Sequence, residues 1–275
     1  MAYVKPDLVV DQMIQAGAQK SRLPVRDLLV RGFLAGALLG FATTLALTAS
    51  LQTHVGLVGA LVFPVGFVMI VLLGMELVTG NFAVVPLAVR DQRTTVGALL
   101  SNWSWVFFGN LLGAMFYAAL FTLTLSPDSE IAKQIMAVSE AKTIGYARLG
   151  LHGQVIAVSK AILCNWMVTL GVVMALTSQS TAGKILAMWL PIMTFFAQGF
   201  EHSVVNMFLV PAGMLLGAHV TALDWWLWNQ IPVTVGNVLG GLIFTGLALH
   251  YTHGKPAVRV AAVPSAPGLA PDAHV

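Results

Sequence analysis

Residues 199 to 211 read "GFEHSVVNMFLVP", so Glu201 and His202 stand side by side in a stretch bounded by Phe195, Phe196, Met207 and Leu209. A carboxylate next to an imidazole is a pair suited to moving protons, because the imidazole changes charge near neutral pH and the acid can orient it or exchange protons with it. An ionisable group in hydrocarbon costs about 2.5–3.5 kcal/mol on insertion scales. Such a pair inside an apolar run therefore marks the wall of a protein interior or a water-filled passage. A second acid, Glu76, sits in a comparable setting within "GMELVTGNF". No HExxH or GxSxG accompanies these residues, and no Cys and His cluster has zinc-ligand spacing, so neither a metal centre, a cofactor nor an enzyme active site is expected.

The elements that carry these residues must be membrane-embedded. Of 275 residues 57% are hydrophobic and only 9% are charged, and the mean hydropathy is +0.83. An ordinary soluble domain carries about 25% charged residues. The fold class is all-α integral membrane. A single cysteine, Cys164, excludes an internal disulfide and reads as a small buried hydrophobe. The net charge of +3 is spread over loops and flanks, which gives no basis for a nucleic-acid partner. Residues 1 to 22 hold Asp7, Asp11 and Lys20 and no apolar core, so a cleavable signal peptide is not expected.

Spans of about 20 apolar residues fall at about 28–51, 97–125, 156–177 and 228–250. Two further regions, 55–89 and 185–217, are too long for one span and are interrupted by polar residues, at Glu76 to Asn81 and at Gln198 to Asn206. They read as broken helices, which membranes tolerate where protein or a water-filled cavity satisfies the backbone. The two interruptions match: Gly74, Glu76, Asn81, Val85 and Pro86 recur at the same offsets as Gly199, Glu201, Asn206, Val210 and Pro211. "GNLLGA" and "GNVLGG" then follow 35 and 37 residues after the leading glycines. The chain is a duplicated unit, with repeats at about 28–125 and 156–252.

Three crossings per unit give six transmembrane helices in a 3+3 inverted repeat, with helices 2 and 5 broken. Lys5, Lys20, Arg22, Arg26, Arg31, Arg90, Arg93, Lys184, Lys255 and Arg259 then share one side, which makes both termini cytoplasmic in a cell's inner membrane. The 28–252 channel domain is preceded by a 1–27 segment whose residues 7–22 suit an interfacial helix, and is followed by a disordered cytoplasmic tail at 253–275. The long loop at about 126–155 lies outside, and Trp225, Trp226 and Trp228 fit an aromatic belt. Small residues in "GFLAGALLGFATT" and "GNLLGA" would let helices approach closely and favour oligomers.

"GMELVTGNF", "FFGNLLGA", "ILCNWMV", "GFEHSVVNMF" and "IPVTVGNVLGG", in this order and spacing, resemble the formate/nitrite transporter family over about residues 10–252. The resemblance implies an aquaporin-like protomer in a homopentamer with one pore per protomer, passing small monovalent anions such as formate or nitrite with a proton; hydrosulfide and lactate channels belong to the same family. It places the pore histidine on His202 and a facing threonine on Thr79. It sets Leu77, Val78 and Phe195 at constrictions, with Phe63 and Phe67 at the outer one, and Asn165, Val168 and Asn237 near the pore. Val78 stands where some members carry an aromatic.

The residues alone point to the same site. Two broken helices present N-termini, each equivalent to about +0.5 charge, to a passing anion. Glu76 and Glu201 suit the role of loop scaffolds that accept backbone N–H bonds, and Asn81 and Asn206 suit loop caps. His202 breaks the repeat, its counterpart being Leu77, and that asymmetry favours function over a neutral imidazole packed against a carbonyl. Lys160 either draws anions inward or snorkels. His54, His219, His250 and His253 are assigned no role. A neutral-solute pore of the water or glycerol type is disfavoured by the lack of paired Asn-Pro-Ala boxes and of a selectivity arginine in the spans.

Overall fold

A computed structural model describes residues 3–254; the tail expected beyond them lies outside the described residues. The described chain is helical, with a single isolated bridge between Tyr3 and Ser178. Four helices are long and apolar enough to cross a bilayer: α2 (Val25–Thr53), α5 (Val96–Thr122), α8 (Leu151–Leu176) and α11 (Ala222–His253). At about 1.5 Å per residue each reaches about 40 Å or more, beyond the hydrocarbon core of about 30 Å. Four shorter apolar helices come in consecutive pairs, α3 (Gly56–Leu72) with α4 (Val78–Arg90), and α9 (Thr181–Ala197) with α10 (Ser203–Leu216). Two wide turns, at Trp226–Gln230 and Leu242–Leu247, loosen α11.

The chain between the paired helices leaves helical geometry at residues 73–77 and 198–202. These breaks are shorter than the interruptions expected from polarity, because Asn81 and Asn206 lie inside the first turns of α4 and α10 and send their side chains back to the loop carboxylates. Gly74 at φ 65° and Gly199 at φ 63° reverse the chain at the start of each break, a left-handed conformation in which a side chain is strained. The backbone bonds repeat as well. Met75 N–H reaches Ile70 O at 2.9 Å and Phe200 N–H reaches Phe195 O at 3.2 Å. Leu77 (φ −114°, ψ 116°) and His202 (φ −111°, ψ 118°) hold the same pose just before their helices.

The stretch expected to be an outer loop at 126–155 is instead ordered as α6 (Glu130–Lys142), α7 (Ile144–Arg148) and the first residues of α8. Ala132, Ile135 and Ser139 on α6 are buried, and Gly213 of α10 lies so close to Ser139 that a Cβ there would meet its side chain. The N-terminal helix α1 (Pro6–Lys20) has its apolar face covered by protein. Val9, Val10 and Met13 are buried, and Gly17 lies against the Val84 carbonyl of α4. Trp225, expected in an aromatic belt, is buried in the core, while Trp226 and Trp228 keep partial exposure.

The small-residue faces also differ from expectation. Gly109 sits 3.1 Å, measured from an added Cβ, from the Cα of Gly32, and a Cβ on Gly113 would strike the Phe33 carbonyl. This seam is used inside the chain to bring α2 and α5 together, so it gives no argument for association between copies. Gly113→Ala gains about 1 kcal/mol of helix propensity. It also overpacks against a backbone atom that cannot rotate away, a cost of about 1–3 kcal/mol. A lower melting temperature for Gly113→Ala in detergent is expected, and an unchanged or raised one would refute the close-approach account.

Candidate functional site

Each break is held by the same set of contacts. Asn110 of α5 accepts the Val78 N–H on Oδ1 at 3.0 Å and donates from Nδ2 to the carbonyls of Gly32 and Glu76, both at 2.8 Å. Asn237 of α11 accepts the Ser203 N–H at 2.9 Å and donates to Ala161 O at 2.8 Å and Glu201 O at 2.9 Å. One amide thus satisfies a helix N-terminus and two carbonyls that would otherwise be orphaned in an apolar setting. Asn237, expected near the pore, makes these three bonds to the second break and to α8.

The carboxylates are bound by side chains rather than by the backbone N–H groups expected for them. Glu76 takes Lys20 Nζ at 2.8 Å and Asn81 Nδ2 at 2.8 Å. Glu201 takes Lys142 Nζ at 2.8 Å, Asn206 Nδ2 at 2.8 Å, Tyr146 OH at 2.7 Å and Asn229 Nδ2 at 3.4 Å. Burial first, then the facing carboxylate, pushes the Tyr146 phenol well up, so it keeps its proton and is the donor. The reason for the changed partners is position: Asn110 and Asn237 already cap the loops, which leaves the acids to neutralise lysines brought in by α1 and α6. Asn102 and Asn229 clamp those lysines by donating to the carbonyls of Lys20 and Lys142, each at 3.0 Å.

Lys20, Lys142, Tyr146, Asn102, Asn110 and Asn229 escaped the sequence reading. One signal was present: Asn102 and Asn229 each precede the paired Asn110 and Asn237 by eight residues.

Between the two scaffolds the breaks meet. Thr79 Oγ1 and His202 Nε2 lie 3.1 Å apart, joining residues 123 positions apart in the chain, and His202 is 2% exposed. The Val205 N–H points at His202 Nδ1 at 3.2 Å, so the imidazole caps α10 in the way Asn or Asp would. Nδ1 therefore acts as an acceptor, which assigns the proton of the neutral ring to Nε2, where it is donated to Thr79. Glu201 does not share in this, because both of its oxygens are occupied elsewhere. The two neighbours share no hydrogen bond among the described residues.

Around the pair, Phe195 stacks near the imidazole at 5.7 Å, and Phe63 meets Phe195 edge-on at 5.6 Å and stacks on Phe196 at 4.0 Å. Asn165 donates to Thr79 O at 3.1 Å and to Asn237 O at 2.6 Å, tying the two halves together. Its Oδ1, together with Ser203 Oγ, is buried without a hydrogen-bond partner among the described residues. Val168, Leu77 and Val78 lie in the same apolar core as Phe63, Phe67 and Phe195.

On one side, a cavity of about 470 Å³ is lined by Lys20, Arg31, Phe67, Glu76, Leu77 and Lys184, among others. Phe63 is not part of that wall.

The formate/nitrite transporter family model matches residues 7–251. A probable formate transporter of Methanothermobacter thermautotrophicus is 40% identical over 256 residues, covering 86% of this chain and 92% of its own. Among solved structures, an FNT family ion channel superposes with a TM-score of 0.75 at 27% identity, covering 90% of this chain and 99% of that one. A pentameric formate channel with formate bound gives a TM-score of 0.70 at 25% identity, over 84% and 98%. Family match, length and shared fold converge, and the chain belongs to the formate/nitrite transporter family of membrane transporters and channels.

Proposed function

We propose that this protein passes small monovalent weak-acid anions, formate first and nitrite second, together with a proton. On this reading it is a homopentamer of six-crossing protomers, each a 3+3 inverted repeat with interrupted second and fifth crossings, and both termini are cytoplasmic. Residues 1–27, 28–252 and 253–275 serve as N-terminal segment, channel domain and tail.

The observation that carries the reading is the buried Thr79–His202 bridge at the meeting point of two breaks, flanked by Leu77 and Val78 from one repeat and by Phe195 from the other. The relative named as a formate transporter and the pentameric channel with formate bound support the choice of substrate and assembly. A bare anion entering this apolar zone loses its water, and low dielectric makes that loss costly unless the charge is balanced. The Nε2–H of His202 offers a hydrogen bond. Full neutralisation needs a second ring proton, and only Nδ1 can take it, which requires release of the Val205 N–H. The imidazolium then passes its Nε2 proton to the carboxylate oxygen, and the neutral acid crosses the remaining apolar ring. The ring is left with its proton on Nδ1; it recloses on Val205 after Nε2 has taken up a new proton from water and Nδ1 has released its own, so that each anion leaves with one proton drawn from the aqueous side.

A neutral-solute pore shares the interrupted-helix plan and predicts the opposite permeability. Proteoliposomes placed in isotonic formate should swell rapidly, while those in isotonic glycerol should behave like protein-free vesicles. Equal swelling in both would overturn the anion reading.

A further inference from the structure

The cavity on the Lys20 side is far roomier than its passing ion requires. Its volume of about 470 Å³ lies within the range of about 300–1,000 Å³ that encloses drug-sized ligands. Its wall carries three cations, Lys20, Arg31 and Lys184, against one carboxylate, Glu76. Lys20 is neutralised by Glu76 at 2.8 Å. Arg31 shares Asp27 at 3.4 Å, with 40% and 27% of the two side chains exposed, a pairing too wet to cancel its charge. Lys184 makes no salt bridge to any described residue.

Most of the remaining wall is apolar, with Ile70, Val71, Val172 and Ala175 among its residues, and Gln19 and Asn81 add two amides. Phe67 and Leu77 also line the cavity, and they and the adjoining Val78 are 2%, 4% and 0% exposed.

We propose that this cavity is a binding site for a short aliphatic dicarboxylate that enters from the Lys20 and Lys184 face and blocks the passage instead of crossing it. Two carboxylates joined by a methylene stem match two cations, Arg31 and Lys184, set in an apolar wall. A single imidazole beyond the constriction can neutralise one charge, and the second would have to cross Leu77 and Val78 bare, so the dianion stays where it binds. This rests on the reading of the Thr79–His202 passage as the anion path.

The test uses the full-length protein in proteoliposomes of determined orientation, with formate flux followed while succinate is added to one face at a time. Propionate serves as the monovalent control and sulfate as the control for charge without a stem. Succinate is expected to reduce flux from the Lys20 face only, and more strongly than propionate or sulfate at equal ionic strength. Lys184→Gln and Arg31→Gln should each raise the half-inhibitory concentration about five- to tenfold relative to that variant's own flux, the loss of roughly one charge-assisted contact. Lys133→Gln, at an exposed position of α6, should leave it unchanged. Equal inhibition from both faces, equal inhibition by sulfate, or an unshifted Lys184→Gln would overturn the proposal.

Thermal stability in detergent reads the site independently of transport. Succinate should raise the melting temperature of the wild type and not of Lys184→Gln. A protein that carries no formate yet shows this shift would refute the transport reading and keep the site, whereas formate flux without the shift or the block would do the reverse.

Discussion

Replacing His202 with phenylalanine is expected to flatten the pH dependence of formate uptake and to lower uptake at pH 6 by about 10- to 100-fold, the loss of one hydrogen bond to a charged partner. In the wild type, uptake should rise as external pH falls toward 5 to 6, because proton supply limits neutralisation of the anion, and chloride, which forms no weak acid, should pass poorly at any pH. Phenylalanine removes two things at once: the Nε2–H that faces Thr79 at 3.1 Å and the Nδ1 cap on Val205 at 3.2 Å. His202→Asn separates them. Asparagine can still cap α10 through its side-chain oxygen, so the protein should keep its melting temperature while the pH response disappears. Thr79→Val removes only the orienting partner and should weaken the response without closing the pore. Uptake into proteoliposomes at several pH values decides the matter. An unaltered pH profile in His202→Phe, with the protein inserted and pentameric, would leave the histidine as a helix cap and nothing more.

What could be read from the residues was what repeats or what is chemically out of place. Glu201 and His202 stood out because charge is costly among Phe195, Phe196 and Met207, and the offset from Glu76 to Glu201 recurs from Asn81 to Asn206. The structure brings Thr79 and His202 within hydrogen-bond distance.

The partners of the acids were not legible in the same way. Lys20 lies in a helix whose alternating pattern suits a membrane surface equally well, and Lys142 and Tyr146 lie in a polar stretch that reads as loop. Nothing local in either segment announces a buried carboxylate more than fifty residues away. Small-residue spacing was ambiguous for a different reason. Gly109 and Gly113 state that a backbone comes close, and only the packing shows that it belongs to the same chain, at Leu29 to Phe33.

The two carboxylates look equivalent in sequence, yet their loss is expected to have unequal effects, with Glu201→Ala far more damaging than Glu76→Ala. Lys142 keeps only 17% of its side chain exposed and Glu201 only 1%, and the acid also holds Tyr146, Asn206 and Asn229. Removing Glu201 leaves an ammonium with little access to water and three donors without their acceptor, a situation that costs about 3–5 kcal/mol for a buried pair. Glu76 is itself only 3% exposed, but Lys20 is 26% exposed and lines the 470 Å³ cavity, so water can take over at the ammonium, and the cost there should be lower, about 1–3 kcal/mol. Glu201→Ala should therefore fail to yield folded pentamer or should melt well below Glu76→Ala. Removing the stranded charge as well, in Glu201→Gln with Lys142→Met, should recover part of the loss, because that double change takes away the unpaired cation. Tyr146→Phe should cost about 1–2 kcal/mol, since it strips one donor and leaves the ion pair intact. Thermal unfolding of the wild type and the four variants in one detergent gives the ranking, and a Glu76→Ala as damaged as Glu201→Ala would show that the Lys20 cavity does not admit the water this account requires.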